Sequence, residues 1–261
     1  MTFPVPINVL GHRFHPHMVM EVIGYSAGFQ LYRYLRPRFP RANVPFEQNV
    51  WIFVGAIFGA LIGSKLLAWT ESLPEYWPHR FDVAAWMGGK TIVGGLLGGW
   101  AGVEIAKKRQ RITHSTGDAF VFPLILGQCI GRVGCFLTGL DDHTHGNFTR
   151  LPFGVDFGDG PRHPTQLYEI AFLLCLGTSL WFLRRRASNP FPNGALFRLY
   201  LAGYLGFRFL IEFIKPSWKP YFGLSAIQLV SLAGSIVCVV QLSRLRGGPK
   251  GIIHEPATAA A

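Results

Sequence analysis

Charged residues, and acidic ones above all, are scarce in this chain of 261 residues. Asp and Glu number 14 against 25 Lys and Arg, charged residues make up 15%, and hydrophobic residues make up 49% with 22 Phe. This composition excludes an ordinary soluble domain and favours a membrane protein with several spans. No nucleic-acid-binding motif accompanies the net charge of +11. The basic residues form short clusters beside apolar segments, so we expect anionic lipid, and no nucleic acid, as their partner.

Cysteines are also few, and the sequence shows neither internal repeats nor the pattern of a cleavable leader. Four cysteines all fall in apolar segments, which excludes a secreted disulfide framework and favours apolar packing: Cys129, Cys135, Cys175 and Cys238. No period of about 20 to 50 residues recurs, which excludes a solenoid. The N-terminal stretch lacks the basic and apolar regions of a cleavable signal peptide. We therefore expect the first membrane segment to act as its own insertion signal.

Seven apolar segments can be marked along the chain, and each is long enough to cross a bilayer. A helix of about 20 residues spans the roughly 30 Å of hydrocarbon in a membrane. The sequence thus predicts an all-α, polytopic integral membrane protein with about seven transmembrane helices. The segments are 18–34, 50–69, 84–106, 118–139, 166–183, 195–214 and 223–243.

Basic residues outside the segments predict the orientation. Positive charge accumulates in cytoplasmic loops, and the loops after the first, third, fifth and seventh segments carry most of it. We therefore expect the N-terminus outside and the C-terminus in the cytoplasm. A single transmembrane catalytic domain is predicted for 1–246, followed by a disordered cytoplasmic tail at 247–261. The basic residues are Arg33, Arg36, Arg38, Arg41, Lys107, Lys108, Arg109, Arg111, Arg184, Arg185, Arg186, Arg244, Arg246 and Lys250.

Four cations lie inside the apolar segments, and the predicted topology brings all of them to the outer half of the bilayer. They are Lys65, Lys90, Arg132 and Arg208. Each costs about 2.5 to 3.5 kcal/mol to insert, so four at one depth predict a pocket for an anion. Snorkelling ends or structural ion pairs are the alternative. Three carboxylates fall at the same depth and could act as partners of these cations or as proton carriers: Glu21, Glu169 and Glu212.

The third segment and the longest outer loop each allow two interpretations. Glycines between Gly88 and Gly102 form small-xxx-small patterns, which predict close helix packing, and those near Lys90 could also admit a lipid head group. The loop at 140–164 is rich in His and Asp. Its Asp-Asp-His-Thr-His run implies no fixed ligand geometry, so we expect a substrate-gating loop and no metal.

Three short runs carry more specific chemistry. Gly-Arg-Val-Gly-Cys-Phe at 131–136 places a planar guanidinium, suited to phosphate, between two glycines. No carboxylate lies within a turn of Arg132. Arg-His-Pro-Thr-Gln-Leu-Tyr-Glu at 162–169 opens the fifth segment with hydrogen-bonding groups. Arg-Phe-Leu-Ile-Glu-Phe at 208–213 puts Arg208 and Glu212 on one helix face, where an intrahelical ion pair is the simplest interpretation.

In order and spacing these runs resemble those of the prolipoprotein diacylglyceryl transferase family, over nearly the whole chain. The resemblance implies transfer of the diacylglyceryl group of phosphatidylglycerol to the thiol of a prolipoprotein lipobox cysteine, with release of glycerol phosphate, at the outer face of a bacterial inner membrane. No cofactor is implied. The resemblance and the charges together give the expected catalytic residues Arg132, Arg208, His163 and Glu169 and the expected substrate-binding residues Arg132, Gly134, Gln166, Tyr168, Arg208, Glu212, Lys90 and Lys65.

The chain departs from the family pattern at several positions. Val93 stands where a His is common, Cys135 where Asn is common, Leu140 where Glu is common, and His17 lies in a run that usually reads His-x-Tyr-Gly. Either another group handles the proton, with His163 favoured over His17 and Glu169, or the reaction is changed or lost. The competing functions are therefore a transferase for this or another acceptor, a catalytically weak lipid-binding relative, and an anion transporter.

Overall fold

The computed structural model describes residues 3–9, 12–83, 86, 88–186 and 192–247. Within them the chain is mostly helical, with seven long helices and two small antiparallel β-hairpins. The helices are α1 Pro16–Leu35, α2 Phe46–Glu71, α3 Ile92–Arg109, α4 Val121–Thr138, α5 Thr165–Arg186, α6 Ala195–Ile211 and α7 Ala226–Gly247. The hairpins are β1 Ile7–Val9 with β2 His12–Phe14 and β3 Val155–Asp156 with β4 Pro161–Arg162.

Each predicted apolar segment overlaps one of these helices, because continuous apolar residues favour the element that satisfies every backbone hydrogen bond internally. The third segment differs most: α3 begins at Ile92, where Thr91 caps the helix by accepting from Gly94 N at 3.3 Å. Gly88–Lys90 is not helical, and Gly89 has φ +60°. Of the tail predicted at 247–261, Gly247 ends α7 and the rest lies outside the described residues.

Four stretches are long and apolar enough to cross a membrane: Phe46–Glu71, Gly117–Asp142, Thr165–Arg186 and Ala226–Leu245. Of the other three long helices, α6 is shorter, with 17 residues, and α1 and α3 are less apolar. A broad apolar face of α2 is open to the surroundings, with Ile57, Phe58, Leu61, Ile62 and Leu66 all exposed. A patch of this kind fits lipid as its environment. The protein is therefore a helical membrane protein.

Small residues bring the helices together. Gly55, Gly59 and Gly63 of α2 face Gly102, Gly98 and Gly94 of α3 so closely that a Cβ on any of them would run into the opposite backbone. In the same way Gly24 and Gly28 of α1 lie against the backbone of α4. Close backbone approach is how membrane helices gain packing energy where lipid competes for apolar side chains. The glycine pattern of the third segment thus serves helix packing.

The two ends of the bundle carry different groups. At one end the basic loops contact each other: Arg184 Nη2 donates to Arg38 O at 2.7 Å, and its guanidinium lies 3.9 Å from the centre of the Phe39 ring. At the other end the loop after α6 meets the loop before α5, where Asn147 N donates to Ile214 O at 2.8 Å. The buried polar residues described below lie toward this second end.

Candidate active site

Arg132 and Arg208 meet at one buried carboxylate. Glu169 Oε1 lies 2.9 Å from Arg132 Nε, and Glu169 Oε2 accepts from Arg208 Nη1 at 3.2 Å. Arg208 Nη2 also donates to Glu212 at 3.0 Å, which confirms the intrahelical pair. Tyr204 OH donates to Glu169 Oε1 at 2.7 Å. Arg132 lacks a carboxylate on its own helix, but α5 supplies one. Glu169 was among the carboxylates that the sequence put at the depth of the cations, and here it is a partner of Arg132.

The two guanidiniums keep donor groups that the carboxylates do not use. Arg132 Nε is close to Glu169, but its N–H makes no hydrogen bond to a described residue, and Arg208 Nε likewise has no partner among them. Both arginines are 4% exposed. A guanidinium carries five N–H groups, and a buried donor without a partner is costly. Arg208 thus carries a buried N–H without a partner among the described residues, and Arg132 Nε lies 2.9 Å from Glu169 Oε1 without hydrogen-bond geometry.

Both oxygens of Glu169 are occupied by cationic or hydroxyl donors. A carboxylate held in this way is stabilised in its charged form and orients its partners. Glu169 therefore suits the positioning of both arginines better than the acceptance of a proton.

Lys215, in the loop after α6, was not among the site residues expected from the sequence. It is buried, and burial together with the positive charge of Arg208 lowers the pKa of Lys215 to about 8. The charges of Glu212, Arg132 and Glu169 also act on it. Lys215 follows the 3-10 turn Glu212–Ile214 with an extended backbone, so helical spacing from Arg208 does not predict its burial. The charges of Arg132, Arg208 and Lys215 thus lie near those of Glu169 and Glu212, and Glu71 also interacts with Arg208.

Cys135 links this cluster to a second one. Arg132 Nη1 donates to Cys135 Sγ at 3.6 Å, and that sulfur lies 3.7 Å from His17 Nδ1. His17 Nδ1 is in turn 2.7 Å from Asp142 Oδ1. All four cysteines are free, as expected, but Cys135 faces polar groups rather than apolar ones. Only a glycine at 134 permits this approach of α1, because a Cβ there would lie 2.8 Å from Met20 Cβ.

Gln166 braces the loop that carries Asp142. Gln166 Nε2 donates to Thr144 Oγ1 at 3.1 Å, and Thr144 Oγ1 donates to Asp142 Oδ2 at 2.6 Å. Thr165 Oγ1 also donates to Thr144 O. The expected substrate-binding residue Gln166 is buried, and its Oε1 has no hydrogen-bond partner among the described residues.

His163 and Tyr168 lie together at the start of α5. His163 Nδ1 and Tyr168 OH are 3.1 Å apart, and the Tyr168 ring packs on Phe153. The backbone of His163, the residue after β4, accepts from Gly146 N and donates to Asn147 O, which ties the end of the β3–β4 hairpin to the earlier part of the same loop. Both side chains are partly exposed. This pair therefore sits where a polar substrate could reach it.

The two lysines have local partners. Lys90 Nζ contacts both oxygens of Glu21 at 2.8 and 2.7 Å and is 53% exposed on its side chain. Lys65 Nζ donates to Gly88 O and Gly89 O, both at 2.9 Å. Lys65 thus fastens the non-helical turn before α3. Val93, at the position where the family commonly has His, is fully buried in the apolar core.

Comparison with known proteins identifies the family of the chain. The family model for prolipoprotein diacylglyceryl transferase matches residues 4–244. A Bordetella avium protein named phosphatidylglycerol–prolipoprotein diacylglyceryl transferase is 29% identical over 220 residues, 81% of each chain. Proteins of the same name are 34% identical in Pseudoalteromonas atlantica, over 76% of this chain and 70% of that one, and 32% identical in Nitratidesulfovibrio vulgaris, over 90% and 88%. The chain therefore belongs to the prolipoprotein diacylglyceryl transferase family.

Proposed function

We propose that the protein transfers the diacylglyceryl group of phosphatidylglycerol to the thiol of a prolipoprotein lipobox cysteine and releases glycerol phosphate. The observation that carries the proposal is the buried pair of arginines on Glu169, with N–H groups left for an anion. Relatives that cover most of the chain bear the name of this activity. Gln166, Tyr168 and Glu212 border the proposed substrate site, and Gly134 lets α1 approach it.

In the proposed topology all seven long helices cross the inner membrane of a bacterium, with the N-terminus outside and the C-terminus in the cytoplasm. The mutual contacts of the Arg-rich loops at one end support this orientation, since basic loops remain on the cytoplasmic side. The arginine pair then faces the outer leaflet. There it can take a phospholipid head group from the side and a lipobox peptide from outside.

The proposed chemistry is a displacement at the glyceryl carbon that bears the phosphate. The sulfur donates an electron pair to that carbon, a C–S bond forms, and the C–O bond to phosphate breaks. The thiol loses its proton and glycerol phosphate leaves with the bonding electrons. Arg132 and Arg208 donate to the phosphate oxygens as their charge grows, which is worth more in a low-dielectric site than in water.

Lys215 gives the head-group site a pH dependence. It is cationic below its pKa of about 8 and neutral above it, so we expect phosphatidylglycerol to bind less tightly as pH rises through that value. The Lys215→Arg variant should lose this dependence, because Arg stays charged. Equilibrium binding of the lipid to both proteins across this pH range measures the effect. Equal pH profiles would contradict the assignment.

His163 is the proposed acceptor of the thiol proton. In the His163→Gln variant we expect transfer near neutral pH to fall by a factor of about 100, in the range for loss of a general base. Raising the pH should restore much of the rate, because a thiol with a pKa near 8.5 then ionises unaided. A Tyr168→Phe variant is the control, because it loses the hydroxyl beside His163 Nδ1 and keeps the ring contacts. A defect in His163→Gln that pH does not relieve would indicate a structural role instead.

The test of the function uses purified protein in detergent with phosphatidylglycerol and a synthetic lipobox peptide. Mass spectrometry should find a diacylglyceryl adduct on the cysteine, and none on the same peptide with Ser in its place. If the lipid binds and no adduct forms, the transfer proposal fails for this acceptor, and a changed acceptor becomes the better interpretation of the departures at Val93, Cys135 and Leu140.

A further inference from the structure

We propose that His17, Cys135 and Asp142 form a site for a divalent transition-metal cation of the zinc type, and that this cation binds the acceptor thiol as thiolate. The role in thiol activation rests on the proposed transfer function. The ligands come from three separate elements: the first turn of α1, the last turn of α4 and the turn that follows it. Of the Asp-Asp-His-Thr-His run in the loop at 140–164, only Asp142 belongs to this trio.

The ligand atoms are close enough to share one cation. Among the described residues, Nδ1, Sγ and a carboxylate oxygen of this trio all lie within 4.8 Å of one another. Zinc bonds of about 2.0 Å to nitrogen or oxygen and about 2.3 Å to sulfur place tetrahedral ligands about 3 to 4 Å apart. The 3.7 Å between Cys135 Sγ and His17 Nδ1 fits that range. The 2.7 Å between His17 and Asp142 is a hydrogen bond that an ion would replace.

A supporting layer holds the ligands as metal sites require. With Nδ1 on the cation, His17 Nε2 faces Glu21 Oε2 at 3.8 Å, an ion-pair distance that is longer than a hydrogen bond. Glu21 is fixed by Lys90 and by Tyr25, which donates at 2.8 Å. A carboxylate behind a ligating histidine sets its tautomer and orientation. On the other side Thr144 holds Asp142 Oδ2 at 2.6 Å, so that Oδ1 is the oxygen directed at His17.

The same geometry argues against a simple catalytic cysteine. In a Cys–His–Asp relay the imidazole accepts from the thiol on one nitrogen and donates to the carboxylate from the other. Here Nδ1 of His17 faces both the sulfur and Asp142. Three convergent ligands around one point are what a metal needs. A neutral imidazole, a thiolate and a carboxylate together carry two negative charges, which a divalent cation neutralises.

Coordination also leaves a position for a fourth ligand. Three protein ligands with an open position are characteristic of catalytic zinc, and His17 and Asp142 are partly exposed. A thiol that binds such an ion loses its proton outright. This supplies the thiolate in a chain whose position 93 is Val rather than His. The site adjoins the proposed phosphate clamp, because Arg132 Nη1 contacts Cys135 Sγ at 3.6 Å.

The proposed step balances without any further reagent. The acceptor thiol binds the cation and its proton leaves for His163 or solvent. The bound sulfur then donates its electron pair to the glyceryl carbon, the C–O bond breaks, and glycerol phosphate leaves with those electrons. The thioether that results is a weaker ligand than the thiolate, so the product can depart and the cation stays on His17, Cys135 and Asp142.

The test is cobalt substitution of the purified full-length protein, with Co²⁺ added to metal-stripped samples. We expect one ion per chain and a thiolate-to-cobalt absorption band. The band should be lost in Cys135→Ser, ion binding should be lost in Asp142→Asn, and both should be retained in Cys129→Ser, a buried cysteine on the same helix outside the trio. Thr144→Ala should weaken binding about tenfold by loosening Asp142. No thiolate band in the wild type, or a band that survives in Cys135→Ser, overturns the site.

Addition of peptide tests the role of the site separately from catalysis. A lipobox peptide should intensify and shift the thiolate band without any lipid present, whereas its Ser analogue should not. A band that the Cys peptide leaves unchanged overturns thiol binding. These spectra need no turnover. Failure of the transferase would instead appear as no adduct with phosphatidylglycerol in the zinc-loaded, cobalt-loaded and metal-free protein alike, so the two proposals can fail independently.

Discussion

Replacement of Arg132 or Arg208 by Ala should reduce transfer by a factor of at least about 100, the usual cost of removing one donor that stabilises developing charge. Both guanidiniums are buried, and both have N–H groups free for phosphate oxygens. Arg132→Lys should also be strongly impaired while folding normally, because a lysine keeps the charge and loses the planar fork. Initial rates of adduct formation, with melting temperature as a folding check, measure the effect.

Arg198 provides the matched control for these variants. It lies on the same helix as Arg208, ten residues earlier and toward the other end, where it donates to Gln241 Oε1 at 2.8 Å and to Gly194 O at 2.9 Å. Arg198→Gln should therefore transfer at the wild-type rate. Near-normal activity in Arg132→Lys, or an equal loss in Arg198→Gln, would refute the clamp.

Glu169→Gln should destabilise the folded protein by about 3 to 5 kcal/mol, the cost of breaking a buried ion pair from one side. The amide keeps the shape and the contact with Tyr204, but it removes the carboxylate that pairs with both guanidiniums and leaves Arg208 with its pair to Glu212. Phosphatidylglycerol should recover part of this loss, because its phosphate replaces the missing charge and a ligand of the folded state raises stability. Thermal unfolding in detergent with and without the lipid measures both effects.

Asp159→Asn is the comparison for this prediction. Asp159 pairs with Arg162 at 2.6 Å, but at an exposed position where an ion pair contributes little. Its melting temperature should match that of the wild type, with the same response to lipid. A Glu169→Gln protein that melts normally, or gains no more from phosphatidylglycerol than the wild type does, would mean that Glu169 is not the counter-charge of the arginine pair.

The helices could be read from the sequence because their signal is local. Continuous apolar stretches such as 50–69 and 166–183 determine their own secondary structure, and their boundaries agree with α2 and α5 within a few residues. The start of α3 was placed too early, since Gly88 and Gly89 are apolar enough to extend the segment, although Gly89 has φ +60°. The number of membrane crossings depends on which helices contact lipid. In the sequence, hydropathy is the only signal for that contact.

The site was only partly predictable for a different reason. Arg208 and Glu212 are four residues apart, so a helix pairs them from sequence alone. The pairing of Arg132 with Glu169 needs the packing of α4 on α5. His17 and Cys135 are 118 residues apart, and no local pattern relates them. They meet because the backbones of α1 and α4 approach closely at Gly24 and Gly134.

Two of the four departures from the family pattern, His17 and Cys135, gain a common interpretation from this contact. His17 and Cys135 replace residue types that are usual in the family, and they lie together with Asp142 beside Arg132. Changes at unrelated positions would be expected to scatter over the structure. Instead, these two form one cluster next to the proposed phosphate clamp, where the group that activates a thiol is needed.

Transfer of the diacylglyceryl group to the lipobox cysteine is tested by the stoichiometry of the reaction. Phosphatidylglycerol labelled in its terminal glycerol is incubated with the protein and a lipobox peptide, and the labelled glycerol phosphate and the modified cysteine are counted together. We expect equal amounts of labelled glycerol phosphate and modified cysteine, with the diacylglyceryl group joined to the cysteine through a thioether. Glycerol phosphate released without a matching adduct, or a cysteine carrying a single acyl group in place of the glyceryl carbon, would contradict it.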